Sequence, residues 1–240
     1  MVRITVVGLG PGRSGLITRE SWALMEQAEH LVLRTRIHPT VAALEQAGLQ
    51  FTTFDEYYER AEDFDDLYAA IARELLQRAR ELGNIVYAVP GSPLVAERTV
   101  VLLRELAARP ENSDVELTIL PGMSFVEVLY TALGIDPIDG LTILDAGDVA
   151  DYVAGLAPDT RPRQSLVITQ VYNQPIASDT KLALMDLLDD EAPVTYIHNL
   201  GMDDESIRQI PLYELDRQPD IDHLTSLFVD FSDGMQKKSS

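Results

Sequence analysis

The chain has 240 residues, 19 Lys+Arg against 39 Asp+Glu for a formal charge of −20, and no cysteine. That excludes disulfides, thiolate nucleophiles and Cys-ligated metal centres, and it gives a phosphate backbone no basic footprint to bind. No apolar run approaches the roughly 20 residues of a membrane span, so a cytoplasmic protein acting on a small molecule is expected.

In chain order, Arg3 to Leu9 is a β-branched run that stops at glycines and reads as a buried strand. Thr18 caps a helix over Arg19 to Glu29, and His30 to Leu33 is a short strand. A helix over Pro39 to Ala47 ends at Gly48, and Leu49 to Phe54 is strand-like. The acidic stretch Asp55 to Asp66 reads as a solvated loop rather than half of a magnesium-binding helix pair. Phe64 to Leu82 is the longest amphipathic helix; a strand at Ile85 to Val89, a helix at Glu97 to Ala108 and a strand at Val115 to Leu120 follow.

Strands alternating with helices over this half imply a mostly parallel sheet covered on both faces. Later strands are expected at Leu141–Leu144, Leu166–Gln170, Val194–His198, Ser206–Pro211 and Leu224–Val229, with one strong helix, Ser178 to Leu188. Two α/β domains are therefore expected, 1–120 and 121–230, the second with a mixed sheet, before a polar tail at 231–240.

Three strand exits carry glycine. Gly8-Leu9-Gly10-Pro11-Gly12 follows the first strand but fails the dinucleotide pattern, because Arg13 occupies the third glycine position. Its alternatives are a ligand loop or a tight turn. Val89-Pro90-Gly91-Ser92-Pro93 and Pro121-Gly122-Met123-Ser124 end later strands, the latter opening a helix for which Ser124 is an N-cap candidate. Together they suggest a ligand held largely by backbone groups. The histidines show no metal-ligand spacing, and no nucleophile elbow or Walker loop is present.

This ordered set resembles the tetrapyrrole methylase family of S-adenosylmethionine-dependent methyltransferases. It is more narrowly similar to the methylase-like domain ahead of a MazG-type pyrophosphohydrolase domain. Leu33 to Pro39, Gln170-Val171-Tyr172-Asn173-Gln174 and Pro211 to Arg217 share that subgroup's pattern. The resemblance implies a two-domain α/β fold, a homodimer, S-adenosylmethionine as cofactor and a small-molecule acceptor, tetrapyrrole-like by family. It implies cofactor contacts at Gly10, Pro11, Pro90, Gly91, Ser92, Ser124, Phe125 and Gln170. Two further strand ends, at His198-Asn199 and Pro211-Leu212, are implied to close over the adenine. The family commonly has Gly-Asp-Pro where this chain has Gly91-Ser92-Pro93. No residue is assigned as catalytic. A cofactor-sensing module without turnover is the alternative reading, and a relic that only dimerises is a third. Arg34 and Arg36 either bind carboxylates of a substrate or pair with the acidic stretch, and His38 reads as a turn-stabilising residue.

Overall fold

The computed structural model describes residues 1–60, 63–157, 160, 162 and 164–231. The chain forms two compact units, Met1–Val128 and Leu129–Ser240. In the first, the elements run β1 (Val2–Gly8), α1 (Arg19–Gln27), β2 (Leu31–Leu33), α2 (Val41–Gln46), β3 (Phe51–Thr53), α3 (Asp55–Arg60), α4 (Phe64–Leu82), β4 (Ile85–Val89), α5 (Arg98–Ala107) and β5 (Val115–Ile119). The strands form one parallel sheet in the order β3-β2-β4-β1-β5.

Alternation along β1 sends Ile4 and Val6 to one face and Val7 to the other. On the first face they meet Leu67, Ile71 and Leu75, spaced four apart on α4, with Val100 and Leu103 of α5. On the second face Val7 packs with Met25 of α1 and Val41 and Leu44 of α2. Burying each of these large side chains contributes roughly 1.5–3 kcal/mol before conformational entropy is set against it. With both faces covered, the ligand-accessible part of such a sheet is its edge at the strand C-termini.

Short local bonds decide where helices begin. The Thr18 hydroxyl accepts from Ser21 N–H at 3.1 Å and starts α1. Glu97 caps α5 by accepting from Thr99 N–H at 3.1 Å. The acidic stretch corrects the loop expectation: Asp55 to Arg60 is helical, and Tyr57 packs edge-on against buried Phe54 at 5.3 Å. Aromatic burial gives these residues a helix face that charge counting overlooks. Glu62 lies outside the described residues, and no group of three or more described His, Asp and Glu gathers as metal ligands.

Helix α6 (Phe125–Leu133) leads in sequence from the first unit into the second. There follow β6 (Leu141–Asp145), α7 (Val149–Ala154), β7 (Ser165–Thr169), α8 (Gln174–Met185), β8 (Pro193–His198), β9 (Ser206–Pro211) and β10 (Thr225–Val229). The sheet order is β6-β7-β10-β8-β9, with β6-β7 parallel and the other pairs antiparallel. Leu166, Ile168, Tyr196, Leu227 and Val229 pack on Val149, Ala177 and Leu184 from α7 and α8. Helix α8 starts four residues before the sequence expectation, because Asn173 accepts from Ile176 N–H at 2.9 Å and Pro175 suits the first turn. The short α7 was not anticipated. The polar tail beyond Phe231 lies outside the described residues. No described helix is long and apolar enough to cross a membrane.

Candidate functional site

The three glycine-bearing exits meet at the C-terminal edge of the first sheet. Gly10 and Gly91 form an antiparallel bridge, with Gly10 N–H to Gly91 O at 3.2 Å and Gly91 N–H to Gly10 O at 2.9 Å. A Cβ on Gly8 would stand 2.4 Å from Gly91 O, and one on Gly122 would stand 3.0 Å from Pro93 Cδ. Glycine here lets three loops touch backbone to backbone. The amide and carbonyl of Gly10 and Gly91 are bonded to each other, which corrects the expectation that their backbone groups stand ready for a ligand. Gly91 is nonetheless open on its outer side: its φ is +64°, and a Cβ there would meet nothing within 4 Å.

Ser124 is a buried cap. Its N–H and hydroxyl donate to Glu127 Oε2 at 2.6 and 2.5 Å, and its Oγ accepts from Val126 N–H at 3.1 Å. This is the reciprocal Ser-x-x-Glu capping box. Pro11, Pro90, Ser92 and Phe125 are half-buried beside these loops, and Ser92 O accepts from Val95 N–H at 3.2 Å.

Below the edge lies a buried polar cluster. Arg34 donates to Glu97 at 2.5 Å and to the Tyr58 hydroxyl at 2.6 Å, and its guanidinium carbon lies 5.3 Å from the centre of the Tyr68 ring. Glu97 is 3% exposed. Burial pushes its carboxyl above the usual range, and Arg34 only partly offsets this. Arg36 pairs with Glu45, while Asp55 accepts from the Arg36 N–H at 2.9 Å and from Thr35 Oγ1 at 2.6 Å. Burial opposes ionisation of Asp55, and these hydrogen bonds outweigh it to hold the carboxyl below its usual value. The counter-charge of Arg34 is thus the cap of α5, while the acidic stretch offers it the Tyr58 hydroxyl.

His38 fastens the Arg34–Thr40 loop to the glycines. Its Nδ1 lies 2.7 Å from the Thr40 hydroxyl and accepts from the Thr40 N–H at 3.4 Å. Burial lowers its pKa to about 4, against a hydrogen bond to the Gly10 backbone that acts the other way. The ring is neutral at pH 7, with a turn-stabilising role. Between pH 6.5 and about 4 the unfolded chain takes up a proton that the folded chain refuses, so stability drops as pH falls through that window. A His38→Asn protein is expected to lack this loss, which amounts to about 2 kcal/mol between pH 7 and pH 4.5 in urea titrations.

In the second unit, Gln170 and Asn199 terminate β7 and β8 in left-handed backbone, with φ of 61° and 54°. They share one end of the sheet: Val171 N–H donates to Thr225 O at 3.4 Å, and Thr225 pairs with His198. Asn199 Nδ2 donates to Asp204 at 2.7 Å, and its buried Oδ1 has no partner. Pro211 and Leu212 lie elsewhere. Pro211 pairs with Pro193 at the other end of β8, because β9 returns antiparallel, and Leu212 is fully buried in the core. Their expected convergence with His198-Asn199 therefore does not occur. Thr225, which sequence reasoning passed over, is the residue that stands between the ends of β7 and β8; a strand start with no glycine or proline gave no signal.

Glycine-bearing loops gathered at the strand C-termini of a parallel sheet place the first unit in the class of open α/β folds, whose ligands sit at that edge. The family model for Tetrapyrrole (Corrin/Porphyrin) Methylases matches residues 3–216, and the chain belongs to that family. It is 39% identical over 227 residues to the uncharacterized protein YabN of Bacillus subtilis (strain 168), covering 95% of this chain and 44% of that protein. The chain thus spans less than half the length of that relative. The fold is similar to the methyltransferase CobJ, with a TM-score of 0.70, 19% identity and coverage of 95% and 94%. It is also similar to uroporphyrin-III C-methyltransferase from Thermus thermophilus complexed with S-adenosylhomocysteine, with a TM-score of 0.62, 18% identity and coverage of 95% and 91%.

Proposed function

We propose that the chain is an S-adenosylmethionine-dependent methyltransferase acting on a small molecule in the cytoplasm. Membership of the methylase family carries this reading, and the residues present fit the cofactor. The open outer side of Gly91 leaves room above the loop to which the resemblance assigns the methionine and ribose. In the second unit, the buried Oδ1 of Asn199 is an acceptor without a partner at the sheet end it shares with Gln170, Thr225 standing between them. When bound, S-adenosylmethionine supplies an activated methyl group, which passes to the acceptor's nucleophile as the carbon–sulfur bond breaks and sulfur leaves with the electron pair as a neutral thioether.

The protein's part is to orient donor and acceptor and to exclude water. Pro11, Pro90, Gly91 and Ser92 hold the donor's reacting end, with the backbone near Ser124 and Phe125 beside them. The Gly10–Gly91 bridge fixes the loop that does so. His38 is neutral and engaged with Thr40 and the Gly10 backbone, which makes it a structural residue and not the acceptor's base.

Ser92 in place of the family's aspartate favours one second reading: a sensor that binds S-adenosylmethionine without turning it over. Release of S-adenosylhomocysteine on adding a small-molecule extract separates the two. The partnership with a MazG-type hydrolase domain, and a homodimer, belong to the same proposal; the greater length of the YabN relative supports the former. The proposal is tested by calorimetric titration with S-adenosylhomocysteine, for which one-to-one binding is expected. No heat and no thermal shift would overturn both readings.

A further inference from the structure

The second unit has a polar cluster of its own at the sheet end that carries Gln170 and Asn199. Tyr196 and His198 stand two apart on β8 and so share a face, and Arg208 of β9 lies opposite Tyr196. Segment 218–224, which leads into β10, folds onto this row. Asp220 accepts from Arg208 at 2.7 Å and from the Tyr196 hydroxyl at 3.1 Å, and its second oxygen lies 3.8 Å from His198 Nδ1. Asp222 Oδ1 lies 3.1 Å from His198 Nε2 and accepts from the Leu224 N–H at 2.8 Å. Gln218 accepts from Arg208 at 3.0 Å, and Ile221 packs on the core of the unit. The imidazole, with its side chain 12% exposed, is thus held between the two carboxylates of the segment.

A neutral imidazole carries one N–H, so it donates to one carboxylate and turns a lone pair toward the other. The imidazolium presents a proton and a positive charge to both. Among the described residues, the titratable groups of this cluster are Asp220 and Asp222 on the segment, Arg208 on β9 and Tyr196 on β8. The hydrogen bond with Asp220 raises Arg208 further and holds the Asp220 carboxyl below its usual value, while burial pushes the Tyr196 hydroxyl up to about 12. Histidine is the side chain whose ordinary value falls between pH 5 and 8, so it is the member of this set suited to switch there. Thr225 carries the cluster to the strand ends: it pairs with His198, its hydroxyl accepts from Asp222 N–H at 3.0 Å, and its carbonyl accepts from Val171 N–H. Asn199 follows His198 directly, in left-handed backbone and with its buried Oδ1 unpartnered.

We propose that His198 is a positioning residue for ligand binding at this sheet end: its protonated ring latches segment 218–224 to β8 and so sets Thr225 and Asn199. The latch loosens as pH rises and the ring loses its proton. The ligand arm of the test rests on the methyltransferase reading, whereas the latch is read without ligand. Hydrogen exchange, corrected for the intrinsic rate at each pH, is followed by mass spectrometry on the free protein at pH 6 and pH 8. Protection of peptides covering 218–225 is expected to fall about fivefold at pH 8 in the parent. It is expected to be equal at both values in His198→Gln, which keeps a hydrogen-bond donor without the charge. In calorimetric titration the parent is expected to bind S-adenosylhomocysteine about fivefold more weakly at pH 8 than at pH 6, and His198→Gln to bind equally at both. His30→Gln/His223→Gln is expected to keep the parent's dependence, and His38 is neutral across this range. If His198→Gln does not fold, Asp222→Asn takes its place, since it removes one carboxylate from the ring and is expected to reduce both pH effects. Protection indifferent to pH in the parent, or a pH effect that survives these substitutions at full size, would overturn the proposal. So would protection that changes with pH while S-adenosylhomocysteine affinity does not. Binding at neither pH would remove the methyltransferase reading, a failure that the exchange arm keeps apart from failure of the latch.

Discussion

An Arg34→Met protein is expected to be destabilised by about 3–5 kcal/mol, because it leaves the Glu97 carboxylate buried without its counter-charge. Glu97 is almost fully buried, and its pKa stands above the usual value even with Arg34 in place. Removing the guanidinium raises it further. The folded state then binds a proton that the unfolded chain has given up, so the deficit grows as pH rises above the ordinary glutamate value of about 4.3 and shrinks as pH falls toward it. Chemical denaturation at pH 5 and pH 8 measures this. An Arg34→Met/Glu97→Gln protein is expected to recover much of the loss at pH 8, since glutamine keeps an acceptor for the Thr99 N–H that caps α5. Equal deficits at both pH values would contradict the account of Glu97 as an ionised group held by Arg34.

The second large effect belongs to Gly8. Alanine there places its Cβ 2.4 Å from a carbonyl oxygen of the Gly91 loop, with Gly122 Cα at 3.4 Å behind it. Neither neighbour is the flexible end of a side chain, so the first and second strand exits must part. A cost of about 3 kcal/mol is expected from this overpacking, after the small gain from a stiffer unfolded chain. The Gly10–Gly91 bridge goes with it, so S-adenosylhomocysteine affinity is expected to fall at least tenfold at temperatures where the variant is folded. Gly48→Ala is the comparison: its φ of +78° strains the residue, but its Cβ meets nothing, so it is expected to cost about 1 kcal/mol and leave binding intact.

Much of the fold was legible because hydrophobic period and chain punctuation agree. Helix α4 and strands β4 and β9 have the bounds their patterns predict, and Thr18 caps α1 as its position suggests. What escaped has short range or depends on tertiary contact. Helix α3 is written in acidic residues whose aromatic face gains meaning only against Phe54. Helix α7, six residues of mixed propensity, carries too few turns to show a period. Ser124 and Glu127 stand at capping-box spacing, so the burial of that serine in its own helix start was readable. The glycines tell a subtler story. Their spacing marks the strand exits, but that Gly8, Gly91 and Gly122 face one another follows only from the strand order, in which β1 lies between β4 and β5. Likewise Pro211-Leu212 and His198-Asn199 are both strand ends in sequence, and only the antiparallel return of β9 separates them.

The central claim is that S-adenosylmethionine sits over the open side of Gly91. The direct measurement is calorimetric titration of S-adenosylhomocysteine into the parent protein and into Gly91→Trp and Gly91→Asn variants. Asparagine tolerates the left-handed backbone that Gly91 adopts, whereas tryptophan adds an indole in the open space. Micromolar binding to the parent, near-parent binding to Gly91→Asn and none to a folded Gly91→Trp protein is the predicted pattern. Equal binding to all three would place the ligand elsewhere and contradict the account.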